Sequence, residues 1–304
     1  MILSLLLITS MAASAVHNNG FDQDRLLAIS ERMRQFVRDG EVAGTVTLIQ
    51  RKGKTVFLDS TGFANLDDKR SMAQDTIFQV MSMTKPITAI AVMICAERGL
   101  LNLDDPVERY MPNLSQLQVK QPDGTLKPKR NRLTIRHLLN HTGGFSSIDP
   151  AGLTDEAKVK LSLKEYADKL HLEPLISEPG TEISYSGPGF AAAGRIIEVV
   201  SGKSLEDFMR TEIFGPLGMK DTFFFAHKDH SSRIAHLYFN ENGRLNKLQD
   251  DPLRPGARYA NPAGGLYSTA SDMAALMGAD VHAPSRARRS GAPADPRRLG
   301  IAPP

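Results

Sequence analysis

Apolar side chains at Leu26, Leu27, Ile29, Met33, Phe36 and Val37 recur at helical spacing between Phe21 and Asp39, and Gly40 follows them. That pattern predicts an amphipathic helix. Ala43 to Gln50 and Thr55 to Ser60 are rich in β-branched and apolar residues and flank Arg51-Lys52-Gly53-Lys54, which predicts a β-hairpin. The stretch from Gly62 to Gln74 reads as a loop, and Thr76 to Val80 as an extended lead into the next element. There Ile87, Ile90, Ala91, Ile94 and Cys95 return to helical spacing and Gly99 is placed as a C-terminal cap, so a buried helix is expected. Pro86 fits this helix only if it begins near Ser82, because a proline in the first turn lacks an N–H that would have had no intrahelical partner.

Downstream, residues 115 to 131 are polar, with Pro, Gly and Lys, and read as a surface loop. A helix is expected from Thr134, stopped by Gly143-Gly144, and another over residues 154 to 172 with Val159, Leu161, Leu163, Tyr166, Ala167 and Leu170 inward. Pro179-Gly180-Thr181 and Gly187-Pro188-Gly189 read as turns around a short extended piece, Glu182 to Ser186. Helices then follow at Phe190 to Val200 and Leu205 to Ile213, and a turn at Gly215 to Met219.

Composition narrows the class. The 304 residues are 41% hydrophobic and 23% charged, enough for a large core. The net charge of +3 is local to one end: residues 281 to 304 hold five arginines against one aspartate, a contribution of +4 that leaves the rest of the chain at −1. No basic face with interleaved aromatics suggests a nucleic-acid partner. The single cysteine, Cys95, excludes an intrachain disulfide or a cysteine-based zinc site. Met1 to Ala15 has an apolar run followed by Ala13-Ser14-Ala15, as a secretory signal has, without a basic residue ahead of it. Export to the periplasm or medium is therefore expected. No later stretch is long and apolar enough to span a membrane.

Ser82 and Lys85 stand three residues apart at the start of the buried helix and so share a face of its first turn. A serine hydroxyl becomes a nucleophile when a base takes its proton, and a lysine can be that base if desolvation or cations lower its pKa. A capping serine beside a solvated lysine has the same spacing. Gly202-Lys203-Ser204 lacks the earlier glycine of a phosphate loop, Ile197 standing there. His137 and His141 have the i, i+4 spacing of metal ligands, but no acidic ligand lies near; one facing the core and one helping to end a helix accounts for them. No cofactor or metal is expected.

Three groups of residues together resemble the serine β-lactamase and penicillin-binding superfamily, in the branch of class C β-lactamases, D-Ala-D-Ala carboxypeptidases and family VIII carboxylesterases. They are Ser82-Met83-Thr84-Lys85, Tyr185-Ser186-Gly187, and Ala263-Gly264-Gly265 running on to Met273. Arg136 to Gly144 and Ile213 to Met219 are similar to the same family, so the likeness covers roughly residues 21 to 279. It implies an α/β (α+β) fold with an antiparallel sheet flanked by helices and an inserted, mostly helical lobe at about 100 to 220. It also implies Ser82 as nucleophile, Lys85 keeping it poised, and Tyr185 as general base or proton shuttle in a two-step acyl transfer. Tyrosine and lysine each titrate near 10 when free, and a coupled pair can pass a proton from Ser82 to a leaving group.

Two departures shape the expectations. Family members continue into further sheet strands, one carrying a motif beside the nucleophile. Here residues from about Ala283 turn to Pro, Arg, Ala and Gly. Residues 281 to 304 are therefore expected to be a disordered tail, as from a frameshifted or early-ended reading, with the hairpin's edge left open and activity impaired. Class C enzymes and carboxypeptidases also have Tyr-x-Asn where this chain has Gly187. The expectation is thus a serine hydrolase of small-molecule carboxylic esters, with weak β-lactam turnover. The alternatives are a β-lactamase or D-Ala-D-Ala carboxypeptidase, and an inactive binding protein. The domain expected spans 21 to 280.

Overall fold

A computed structural model describes residues 20–150, 153–248 and 255–279. The expected signal segment and the arginine-rich tail lie outside them.

Asp22 caps α1 (Gln23–Arg38) by accepting hydrogen bonds from the N–H groups of Asp24 and Arg25 at 2.9 and 3.2 Å. Leu26 and Ser30, one turn apart, are its buried positions, while Leu27, expected on the inner face, is 54% exposed. Next come β1 (Gly44–Arg51) and β2 (Lys54–Asn65), antiparallel and joined by Lys52-Gly53. Both turn residues have positive φ, 51° and 72°, the backbone of the tight hairpin turn that matches strand twist. The loop expected from residue 62 is instead more sheet. β2 runs on to Asn65, and β3 (Arg70–Ser71) folds back on its end, with Phe63 opposite Ser71. Among the described residues no strand pairs with the other edge of β1. Helix α1 lies against β2.

β4 (Phe78–Gln79) leads to a 3-10 turn, Met81–Met83, and then to α2 (Thr84–Glu97). The α-helix thus starts two residues later than expected, with Pro86 in its first turn. Ile87, Ala91, Val92 and Cys95 are fully buried; Ile90, expected among them, is 37% exposed on the outer side. The polar stretch 115 to 131, expected as a loop, is a two-stranded ribbon, β5 (Gln118–Lys120) and β6 (Leu126–Pro128). Buried Val119 anchors it, and backbone bonds with Leu175 flank β5 on its other side.

Thr134 caps α3 (Ile135–Leu139) as expected. The single helix expected over 154 to 172 is broken into α4 (Asp155–Lys160), α5 (Leu163–Ala167) and a 3-10 turn, Leu170–Leu172. Ser162 causes the break: its side chain caps Glu165 N–H while the Glu165 carboxylate bonds back to Ser162 N–H, a reciprocal pair that starts a new helix. α6 (Gly187–Ser201) begins three residues before the expected Phe190 and ends at Gly202, whose φ of 69° suits a C-terminal cap. α7 (Leu205–Met209) opens into a π turn, Arg210–Phe214, and then α8 (Gly215–Leu217). A second hairpin, β7 (Tyr238–Glu241) and β8 (Arg244–Lys247), precedes β9 (Tyr267–Ser268) and α9 (Ala270–Met277).

The core lies among the helices. Ile87, Ala91 and Cys95 of α2 meet a face of α6 made of Ala191, Ala192, Ala193, Ile196 and Ile197, closed by Leu133, Leu138, Tyr166 and Phe208. Each large apolar side chain removed from water contributes about 1.5–3 kcal/mol, so this cluster dominates the stabilisation. It also fixes α2, and with it the chemistry at its N-terminus. Among the described residues no helix is long and apolar enough to cross a membrane.

Candidate active site

The 3-10 turn at Met81–Met83 is a sharp one. Met81 has φ of 47°, a left-handed conformation that costs a non-glycine residue about 1 kcal/mol or more. Its neighbours hold it there. Val80 N–H donates to Leu266 O at 2.9 Å, Thr84 Oγ1 donates to Met81 O at 2.7 Å, and Leu266 N–H donates to Thr84 Oγ1 at 3.2 Å. The antiparallel pairing of β4 with β9 brings Leu266 to this place. Ser82 is thereby set exposed on the crest of the turn, at the positive end of the α2 dipole.

Lys85 lies one turn on and is buried, 7% exposed. Its ammonium donates to Ala263 O at 2.7 Å and to Ser82 Oγ at 3.2 Å. Ala263 belongs to a turn in which Asn261 Oδ1 accepts from Ala263 N–H at 2.9 Å and Asn261 O accepts from Gly265 N–H at 2.9 Å. The neighbouring Pro262 O accepts from Thr88 Oγ1 at 2.8 Å. Residues of α2 thus grip the 261–265 turn at two points, and Lys85 exchanges part of its hydration for one strong, charge-assisted bond.

Tyr185 comes from the segment between the turn at 179–181 and α6. Its ring lies beneath the Lys85 ammonium, 4.5 Å from Nζ to the ring centroid, with Phe190 on a further side at 5.9 Å. Hydrogen bonding to Lys85, and then to Ser82, holds the phenol below the ordinary tyrosine range, against a smaller opposing effect of burial. Tyr185 is 55% exposed, so the site is open on its side. Ser82, Lys85 and Tyr185, named from sequence, are thus brought together, with Lys85 Nζ 3.2 Å from Ser82 Oγ and 4.5 Å from the Tyr185 ring centroid. A hydroxyl, a cation that bonds to it and a phenol of lowered pKa can move a proton off Ser82 and return it to a leaving group.

The expectation of a core-facing and a helix-ending histidine omitted a site residue. His137 turns back on its own helix start, its Nδ1 accepting from Thr134 N–H at 3.3 Å. His141, four residues on, has φ of 61° and points into the site. Its ring lies 4.6 Å from that of Tyr185 and 5.2 Å from that of Phe190, and its Nδ1 accepts from Ser186 N–H at 3.1 Å. Burial, and next the charge of Lys85, push its pKa down. The Ala263 carbonyl was also unforeseen, since a backbone acceptor leaves no mark on residue type. Among the described residues no group of three or more His, Cys, Asp or Glu could hold a metal ion.

A family model described as Beta-lactamase matches residues 29–300. An uncharacterised protein of Mycobacterium tuberculosis is 30% identical over 251 residues, 79% of this chain and 62% of that protein. Esterase EstB of Burkholderia gladioli is 29% identical over 268 residues, 79% of this chain and 66% of that protein. Among solved structures, EstCE1, described as a hydrolase with promiscuous acyltransferase activity, superposes with a TM-score of 0.70 at 26% identity, covering 83% of this chain and 72% of that one. The chain therefore spans about three fifths of the length of the mycobacterial relative, at 62%.

Proposed function

Given that the chain belongs to the β-lactamase family, we propose that it is a serine hydrolase that cleaves small carboxylic esters through an acyl-enzyme on Ser82. The observation that carries this reading is the buried Lys85 ammonium, shared between Ala263 O at 2.7 Å and Ser82 Oγ at 3.2 Å. An esterase among the relatives, and a hydrolase with promiscuous acyltransferase activity among the solved structures, support the substrate class. So does Gly187, where an added Cβ would meet nothing nearer than Ala263 Cβ at 3.8 Å, leaving space beside the site.

In this reading Lys85 bonds to the phenolate of Tyr185 and to Ser82 Oγ, and Tyr185 takes the Ser82 proton as Oγ bonds to the ester carbonyl carbon. The oxyanion receives the Ser82 N–H at the start of the helix. Tyr185 then gives the proton to the departing alkoxide, the C–O bond breaks, and an alcohol leaves. Water repeats the sequence: Tyr185 takes its proton, the hydroxide oxygen bonds to the acyl carbon, and Ser82 leaves with the proton returned. No cofactor enters.

Intact-mass analysis of the full chain after a fluorophosphonate probe tests the reading. A single adduct mapping to Ser82 and absent from Ser82→Ala is expected, together with faster turnover of a p-nitrophenyl ester than of a chromogenic cephalosporin. No adduct would leave a binding protein. Faster cephalosporin turnover would make it a β-lactamase.

A further inference from the structure

Three contacts tie the segment that carries Tyr185 to one residue, and all three come from His141. The His141 carbonyl accepts from Ser184 N–H at 2.8 Å, its Nδ1 accepts from Ser186 N–H at 3.1 Å, and its ring packs on Tyr185 between those two anchors at 4.6 Å. We propose that His141 is the positioning residue of Tyr185: as a neutral imidazole it clamps residues 184–186, and on protonation it loses the Ser186 anchor of that clamp. This rests on Tyr185 being the proton acceptor.

The chemistry of the clamp fixes the state of the ring. A backbone N–H can only donate, so Nδ1 must present a lone pair and the ring proton must be on Nε2. An imidazolium has a donor at both nitrogens. Protonated, His141 would set N–H against N–H where the bond to Ser186 now stands, and the anchor would be lost. Ser186 Oγ is engaged elsewhere as the cap of α6, donating to Ser146 O at 2.9 Å and accepting from Gly189 N–H at 3.1 Å.

The surroundings oppose that proton. From α2 the charged group bearing on His141 is the Lys85 ammonium, from the 182–186 segment the titratable group is the Tyr185 phenol, and α6 offers uncharged Phe190. His137, on the same stretch of chain, faces Gly180 and its own helix start instead. Burial and Lys85 both lower the His141 pKa, which keeps the clamp closed at neutral pH. The backbone of His141 makes the residue hard to replace: at a φ of 61° asparagine is among the few tolerated side chains, and its amide oxygen could take the Ser186 N–H.

Two measurements on the full chain decide the matter. In protein carrying isotope-labelled histidine, the His141 signals, assigned by their loss in His141→Asn, should show a neutral ring protonated at Nε2 at pH 7, titrating below the free-histidine value of about 6.5. The Tyr185 ring signals should move in the same titration. An imidazolium at pH 7, or a proton on Nδ1, overturns the proposal, and this holds even if the protein turns over nothing. In fluorophosphonate labelling of Ser82, the wild-type rate should fall about tenfold per pH unit below the Tyr185 pKa, with one further drop of about tenfold in all as His141 protonates. His141→Phe keeps a ring but loses the acceptor; it should label about tenfold slower at pH 7 and show only the single slope. His141→Asn should recover most of that loss, also with the single slope. Wild-type rate and profile in His141→Phe would overturn the proposal. If wild type labels at no pH, the hydrolase reading falls and the ring titration alone decides the clamp.

Discussion

Gly194 of α6 faces Pro262 so closely that a Cβ at residue 194 would stand 2.4 Å from the proline Cγ. The contact matters because Pro262 precedes Ala263, whose carbonyl holds Lys85. Helix propensity alone would favour alanine over glycine here by about 1 kcal/mol. The overlap with a stiff ring outweighs it, at about 1–3 kcal/mol for overpacking a filled site. Gly194→Ala is therefore expected to lower the melting temperature and to slow Ser82 labelling together; an unchanged labelling rate would show that the 261–265 turn is not held by this contact.

Lys85→Met keeps the volume of the side chain and removes its charge. Losing the group that poises the proton transfer is expected to cut Ser82 labelling by about 10²–10⁴. The pH profile should change in a defined direction. The Lys85 ammonium favours the Tyr185 phenolate, so wild-type labelling should rise with pH through a pKa below the free-tyrosine value of about 10. In Lys85→Met that limb should move up toward about 10, and a limb that stays in place would assign the titration to another group.

Glu212, in the π turn after α7, bonds to Arg98 at the end of α2 and to Lys203 at 3.1 Å. Those bonds, Arg98 first, pull its carboxyl down to about 2. A depressed carboxylate pKa means that the unfolded chain binds the proton more readily. The stabilisation is thus complete above the unfolded value of about 4.3 and is lost as pH falls toward about 2. Glu212→Gln should cost about 1–2 kcal/mol at pH 7, screening by solvent taking the remainder, and almost nothing at pH 2. Denaturant melts of both proteins at the two pH values check it.

At Gly187 the backbone and the surrounding space both accept a side chain, the nearest atom to an added Cβ being 3.8 Å away. Gly187→Asn places an amide beside Ala263, whose carbonyl holds Lys85, where it can bond to the amide of a β-lactam. The ratio of cephalosporin to ester turnover should rise about tenfold with the melting temperature unchanged. A constant ratio would remove Gly187 as a determinant of substrate class.

Cys95 is fully buried on α2, and burial pushes its thiol up to about 12. A thiol reagent should leave the native protein unmodified and react once per chain in denaturant. Labelling in the native state would mean that α2 opens, which its core packing argues against.

Much of the architecture was legible along the chain. Helical spacing located α1 and α2, start and stop residues located α3, an apolar run located α6 and turn residues the first hairpin, because periodicity, capping and turn geometry are local properties. The errors fell where local signals were weak or divided. The ribbon at 118–128 has one buried residue, Val119, and pairs through backbone groups that carry no residue-type mark. The helix expected over 154–172 is apolar at the right spacing, yet Ser162 and Glu165 restart it.

The same division runs through the site. Order and spacing along the chain establish that Ser82 and Lys85 share a helical turn, because a helix repeats every few residues whatever surrounds it. They cannot establish where the lysine's proton-bearing end is held. Its acceptor, Ala263 O, is 178 residues away, and His141 and Tyr185 meet across 44 residues only because α2, α3 and α6 pack into one core. Burial of a charge and alignment of a hydroxyl with a phenol are relations between distant segments, and the folded packing alone creates them.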